Sequence, residues 1–180
     1  MFHPFRYSWV FVNTPCRPFR LNVGFIVNQP VGYSHQFDFN FPKIQISDDL
    51  DLHHFTGSAT IDRTPQGLFV RAEFKARLNQ ECVRCLSSYV QNIQWTMSEL
   101  YAFNQRSATD AGLILPEDTH IDIQPLIREY AMLEIPINPI CKPDCKGLCS
   151  VCGEDLNAKD CDHQSRLEES PFSALRQLLE

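Results

Sequence analysis

Four short-spaced ligand pairs, Cys82-x2-Cys85, Cys141-x3-Cys145, Cys149-x2-Cys152 and Cys161-x-His163, take up seven of the chain's eight cysteines and one histidine. A tetrahedral Zn2+ is typically held by two such pairs, because a tight turn lets two nearby side chains face one ion. Eight ligands therefore fill two sites, and only Cys16 is left over. Glycines bracket the third pair in Gly147-Leu-Cys-Ser-Val-Cys-Gly153. Gly153 is suited to a positive φ, which turns backbone N–H groups toward the sulfurs.

Two other readings of the cysteines compete. A disulfide framework suits a secreted chain, but no signal peptide is expected here, and five cysteines crowd into Cys141 to Cys161. A length of 180 residues builds a core without staples. A thioredoxin-like dithiol at Cys82-Val-Arg-Cys85 gains from Arg84, which lowers a nearby thiol pKa. That motif opens a helix after a strand in a βαβ unit, and no such pattern surrounds it.

A hydrophobic fraction of 43% with 13 phenylalanines supports a packed core and excludes global disorder. No apolar run approaches the roughly 20 residues that cross a bilayer, so a soluble intracellular protein is expected. The formal net charge of −6 is not that of a protein that coats nucleic acid by charge alone. The charge is uneven, since no acidic residue precedes Asp38 while Arg6, Arg17 and Arg20 lie among Phe2, Phe5, Tyr7, Trp9, Phe11 and Phe19. Interleaved rings and guanidiniums suit single-stranded RNA. They equally suit an arm or edge strand packed on a sheet. A transit peptide would carry more serine.

Along the chain, residues 1–20 read as an aromatic and basic arm, 21–136 as an antiparallel β domain, and 137–180 as a Cys-rich tail with a short terminal helix. Period-two patterning predicts strands at Leu21–Val27 and Phe37–Phe41. The clearest strand is Leu68–Leu78, where Leu68, Val70, Ala72, Phe74, Ala76 and Leu78 share one face, and Arg71, Glu73, Lys75 and Arg77 the other. Thr64-Pro-Gln-Gly67 makes residues 55–63 its hairpin partner, and Tyr89–Tyr101 forms a further strand. His53 and His54 read as a strand start. Residues 104–120 read as a polar loop that leads into a helix near 122–134, N-capped by Asp122, with Pro125 in its first turn and Pro136 as its stop. The tail is so poor in apolar residues that a metal must order it. After Ser170-Pro171, Phe172, Leu175, Leu178 and Leu179 line one side of a terminal helix. The fold class is α+β: a mostly antiparallel sheet or partly open barrel with one central helix.

Nearly all-thiolate ligation fills the metal's coordination shell, which suits structure rather than Lewis-acid chemistry. Asp118-x-His120-x-Asp122 reads as a solvated loop entering a capped helix rather than a ligand set, and Arg128-Glu129 as a solvated face or partner surface. There is no phosphate loop, no G-x-S-x-G and no H-E-x-x-H, so no enzyme is expected.

Glu81-Cys-Val-Arg-Cys-Leu86 after a regular hairpin, the stretch from Asp122 to Pro136, Cys-x3-Cys followed by Gly147-Leu-Cys-x-x-Cys-Gly-x-Asp-Leu-Asn157, and a tail ending Ser-Pro-Phe-x-x-Leu-x-x-Leu178 together make a specific combination. Across roughly residues 20–180 the chain resembles the YceD-like large ribosomal RNA subunit accumulation proteins. The resemblance implies a non-enzymatic factor for large-subunit rRNA accumulation or processing and large-subunit assembly. Its partners would be rRNA, ribosomal proteins, or both, with no membrane and no small-molecule substrate. Its setting would be the bacterial cytoplasm or the stroma or matrix of a bacterium-derived organelle. This chain departs from the pattern at Cys161-Asp-His163, where the family commonly has Cys-x-Cys. Imidazole replaces thiolate on zinc, so the second site becomes Cys3His.

The expected cofactor is two structural Zn2+. One site takes Cys82, Cys85, Cys141 and Cys145 and clamps the tail to the sheet. The other takes Cys149, Cys152, Cys161 and His163. Cys141, Cys145, Cys149 and Cys152 sharing one ion is the competing arrangement. The functional alternative is a thiol-based redox enzyme or sensor using Cys82 and Cys85. Arg6, Arg17 and Arg20 are the candidate RNA or partner contacts.

Overall fold

Alternating apolar and polar residues build most of this molecule. The computed structural model describes residues 17–161 and 163. Its elements are β1 (Arg20–Asn22), α1 (Gly24–Val27), β2 (Ser34–Ser47), β3 (Leu50–Arg63), β4 (Gly67–Glu81), β5 (Ser88–Ala102), a 3-10 turn, β6 (His120–Asp122) and α2 (Gln124–Glu134). Strands β2 to β5 form an antiparallel four-stranded sheet in sequence order, and β1 pairs with β6 beside it. The outer strands β2 and β5 do not pair, so the sheet is open rather than a barrel.

The inward residues of β4 are all buried, from Leu68 to Leu78, while Arg71, Glu73, Lys75 and Arg77 are exposed. Phe55, Phe74 and Trp95 carry an aromatic chain across three strands, with centroids 5.1 Å apart for Phe55–Phe74 and 5.6 Å for Phe74–Trp95. Phe19 joins from outside the sheet at 5.4 Å from Phe55, so the core already begins there. Such offset and tilted pairs add to area burial. Gly57 stands opposite Phe74 in the ladder, and a Cβ there would come within 2.5 Å of the Phe74 ring.

Four expectations are corrected. The strand expected over Leu21–Val27 stops at Asn22. The Asn22 carboxamide accepts from Gly24 N–H at 3.0 Å and turns the chain into α1, which places Val23 and Ile26 on one buried side. His53 and His54 lie within β3, not at its start. The register slips there between His53 and Thr56, and His54 takes φ 49°. Helix α2 starts two residues after Asp122, which ends β6 and accepts from Gln124 N–H at 3.0 Å. It lies against the outer strands β5 and β2. Arg128 on α2 is not merely solvated, since it donates to Asp49 at 2.6 Å. The C-terminal helix expected after Ser170 lies outside the described residues.

Candidate metal centres

The turn between β4 and β5 is built around its two cysteines. Leu86 N–H donates to Cys82 O at 2.8 Å and Cys82 N–H to Ser87 O at 3.0 Å, with Leu86 at φ 59°. The tail is drawn onto this turn by main-chain bonds. Val83 N–H donates to Pro139 O at 2.9 Å and Leu148 N–H to Arg84 O at 3.0 Å, while the Arg84 guanidinium donates to Cys145 O at 2.9 Å. Gly147, at φ 79°, passes so close that a Cβ would stand 3.0 Å from Arg84 O.

These links gather the sulfurs of Cys82, Cys85, Cys141 and Cys145 within 4.8 Å of one another. Cys82 Sγ is 3.8 Å from Cys145 Sγ, and Cys85 Sγ is 3.7 Å from Cys141 Sγ. A tetrahedron with Zn–S bonds of about 2.3 Å has edges of about 3.8 Å, so the spacing fits one ion. A disulfide needs about 2.0 Å. Cys82 is fully buried and Cys145 nearly so, with Tyr89, Ile140 and Leu148 packed around them. The tail thus contributes a small apolar cluster of its own, which its sparse hydrophobic content concealed.

Hydrogen-bond donors surround the sulfurs. The Ser87 hydroxyl is 2.9 Å from Cys85 Sγ, and Asn157 Nδ2 donates to Cys145 Sγ at 3.5 Å while its Oδ1 accepts from Lys146 N–H at 2.9 Å. The Ser87 hydroxyl and N–H hold the Cys85 thiol below its ordinary value. Burial opposes ionisation of Cys82, yet the N–H groups of Cys141, Cys85 and Arg84 bring it down to about 6. Burial, with the neighbouring Cys85 and Cys145 sulfurs, pushes Cys141 up to about 12. A divalent cation at the centre inverts that repulsion and favours thiolate on all four. The sequence offers no sign that Asn157 and Ser87 belong to the site, and it suggests for Arg84 an effect on a Cys82–Cys85 dithiol rather than its bond to Cys145 O. Asn157 ends the family-like stretch Gly147-Leu-Cys-x-x-Cys-Gly-x-Asp-Leu-Asn157 without a role.

The second cluster lies wholly in the tail. Gly153, at φ 74°, donates its N–H to Cys149 O at 2.9 Å, and Val151 N–H donates to Cys149 Sγ at 3.4 Å. The N–H groups of Cys152 and Val151 bring the Cys149 thiol to about 6. The sulfurs of Cys149, Cys152 and Cys161 and a ring nitrogen of His163 all lie within 4.8 Å of one another. His163 Nδ1 is buried and has no hydrogen-bond partner among the described residues. A ring nitrogen grouped with three sulfurs is what a Cys3His metal site offers, so this donor set also fits an ion. Cys152 is exposed, in contrast to the first cluster. Each group could hold one metal ion, and both donor sets are compatible with zinc.

Arg17 and Arg20 lie elsewhere. Arg17 lines a hollow of about 700 Å³ with Ile44, Gln124 and Arg128. Arg20 donates to Asp118 at 2.5 Å, and His120 N–H donates to Asp118 Oδ1 at 3.1 Å, so Asp118 serves local pairing. Arg6 and Cys16 lie outside the described residues.

The family model described as large ribosomal RNA subunit accumulation protein YceD matches residues 70–179, a span that holds both clusters. The chain belongs to the YceD family. Among curated proteins, an uncharacterized protein of Mycobacterium tuberculosis is 32% identical over 136 residues, 73% of this chain and 61% of the relative. The large ribosomal RNA subunit accumulation protein YCED homolog 1, chloroplastic, of Arabidopsis thaliana is 40% identical over 65 residues, 36% of this chain and 20% of that protein. The homolog 1 protein of Zea mays is 50% identical over 40 residues, 22% of this chain and 14% of that protein. The chain spans 61% of the length of its relatives from Mycobacterium bovis and Mycobacterium tuberculosis. No solved structure matches this YceD-family chain. No helix among the described residues is long and apolar enough to cross a membrane.

Proposed function

We propose that this chain is a non-enzymatic, zinc-ordered factor that supports large-subunit rRNA accumulation and assembly of the large ribosomal subunit. The observation that carries the reading is the family match over the stretch that contains both Cys clusters. Zinc is the ion of choice for these sites because thiolate-rich tetrahedral ligation suits it and leaves no coordination position for water or substrate. The ions order the tail against the hairpin end, and the chain's own residues do the rest: Arg84 and Leu148 dock the tail, and Asn157 holds the Cys145 sulfur. The partner is large-subunit rRNA, a ribosomal protein, or both. The setting is a bacterial cytoplasm or the interior of a bacterium-derived organelle, a reading to which the chloroplastic names of the plant relatives lend support.

Deleting the gene is expected to leave a deficit of large-subunit over small-subunit rRNA, with tagged protein co-sedimenting with large-subunit precursors on sucrose gradients. Normal subunit ratios and no association with any ribosomal particle would overturn the reading. A thiol redox role for Cys82 and Cys85 is the second reading. Thiol counting separates the two: metal-held thiolates react only after a chelator is added, whereas a redox dithiol reacts at once.

A further inference from the structure

The outward face of the sheet carries a feature that the metal centres do not use. A hollow of about 550 Å³ lies across β3, β4 and β5, lined by the polar side chains His54, Thr56, Lys75, Arg77, Asn92 and Gln94. No carboxylate lines it. Arg77 has no ion-pair partner among the described residues, and Lys75 has only an exposed contact of 3.8 Å with Glu73 at the rim, where Gln94 also donates to Glu73 at 3.2 Å. Exposed pairs of that kind bind weakly and exchange readily.

His54 is the second, independent observation. It sits at the register slip of β3 with φ 49°, in the left-handed region that favours glycine, and its imidazole lines the hollow. Bulges re-aim side chains, and a residue held in a sparsely populated conformation points to a use for its side chain. The neighbouring hollow, which shares Thr56 and Lys75, is lined by Asp38 and Glu73, and beyond it Arg71 is paired with Asp62 at 2.7 Å, so the carboxylate-free ground is confined to the hollow around Arg77.

We infer that this hollow is a phosphodiester site for single-stranded RNA, with Lys75 and Arg77 as the two charged contacts and His54, Thr56 and Asn92 as further hydrogen-bonding groups. The inference rests on the rRNA reading above and places its contact on the sheet rather than on the N-terminal arginines. It also accommodates the net charge of −6, because the cations are local and few, which predicts modest affinity with a shallow salt slope.

The test uses the zinc-loaded full chain and a fluorescein-labelled, mixed-sequence single-stranded RNA, titrated by anisotropy across a series of KCl concentrations. Each phosphate contact on a single strand contributes a slope of about 0.7 in log K against log salt, so the Lys75→Gln/Arg77→Gln variant should lower the slope by about 1.4 and the affinity at 0.1 M salt roughly 25-fold. The charge-matched Lys43→Gln/Lys159→Gln variant should leave the slope close to wild type. His54→Gly, which suits the backbone there, should keep or raise the melting temperature while weakening binding. An unchanged slope in the first variant, or an equal loss in the charge-matched one, would overturn the site. If that happens while the protein still co-sediments with large-subunit precursors, the assembly reading stands without it. Absence of both RNA binding and co-sedimentation removes both.

Discussion

Leu86 and Gly153 occupy the same place in two copies of one turn. Each follows the second cysteine of a Cys-x2-Cys segment, each has positive φ (59° and 74°), and each donates its N–H to the carbonyl of the first cysteine, at 2.8 and 2.9 Å. Only Gly153 does so without steric cost, since a Cβ in the left-handed region meets the backbone. Leu86→Gly is therefore expected to leave the fold intact and raise unfolding free energy by up to about 1 kcal/mol in urea titrations. Gly153→Leu should cost about 1–2 kcal/mol locally and speed metal loss from the second cluster, read with a chromogenic chelator. Slower metal loss in Gly153→Leu would contradict the equivalence.

The two metal centres differ in how much chain they close. Fifty-five residues separate Cys85 from Cys141, against eight between Cys152 and Cys161. By loop-closure entropy the first centre constrains the unfolded chain by about 2 kcal/mol more. Cys82→Ser should thus lower the melting temperature markedly, while Cys161→Ser should raise hydrogen exchange mainly over residues 146–161. Elemental analysis of the wild type should find two zinc ions per chain. Equal melting shifts in both variants would refute the ranking.

Gly57→Ala tests the sheet interior. The added Cβ would stand 2.2 Å from Glu73 O and 2.5 Å from the Phe74 ring, and backbone in the middle of a four-stranded sheet has little room to yield. A loss of roughly 2–4 kcal/mol is expected from denaturant unfolding, with the zinc content unchanged.

The Asp49–Arg128 pair gives a pH signature. Hydrogen bonds from Arg128, and then from Ser47, hold the Asp49 carboxyl down at about 2, below the ordinary 3.8. The unfolded chain therefore binds the proton first, so the contribution is complete above about pH 5 and fades as pH falls through 4 toward 2. Asp49→Asn should lower the stability at neutral pH, and its difference from wild type should shrink over that acid range. A difference that stays constant down to pH 2 would exclude the pair as its source.

Much of this architecture was legible because strand periodicity is local. The inward set of β4 could be read directly, and the hairpin followed from Thr64-Pro-Gln-Gly67, whose Thr64 N–H donates to Gly67 O at 2.9 Å. The β3 bulge left a trace that was missed: buried positions switch parity from Leu50 and Leu52 to Phe55, Ala59 and Ile61. Helix α1 was invisible because one turn offers too little pattern, and side-chain bonds at its two ends, Gly24 N–H to Asn22 and Asn28 to Gly24 O, hold it. At the metal centres the ligands could be read from spacing, while Arg84 and Asn157 could not. Their roles come from tertiary approach across 61 and 12 residues respectively, which no local pattern encodes.

Because half of the first centre ends the β4–β5 hairpin and the other half lies 56 positions later, chain synthesis presents its ligands in two instalments. Cys82 and Cys85 emerge with the sheet and must wait as an unfinished pair while β5, β6 and α2 are made. Only when Cys145 has been delivered can the four sulfurs gather, so closing the set requires everything between those cysteines to have folded into place. Supply of the proposed zinc would then limit how quickly newly made chains mature, not merely how stable the finished ones are.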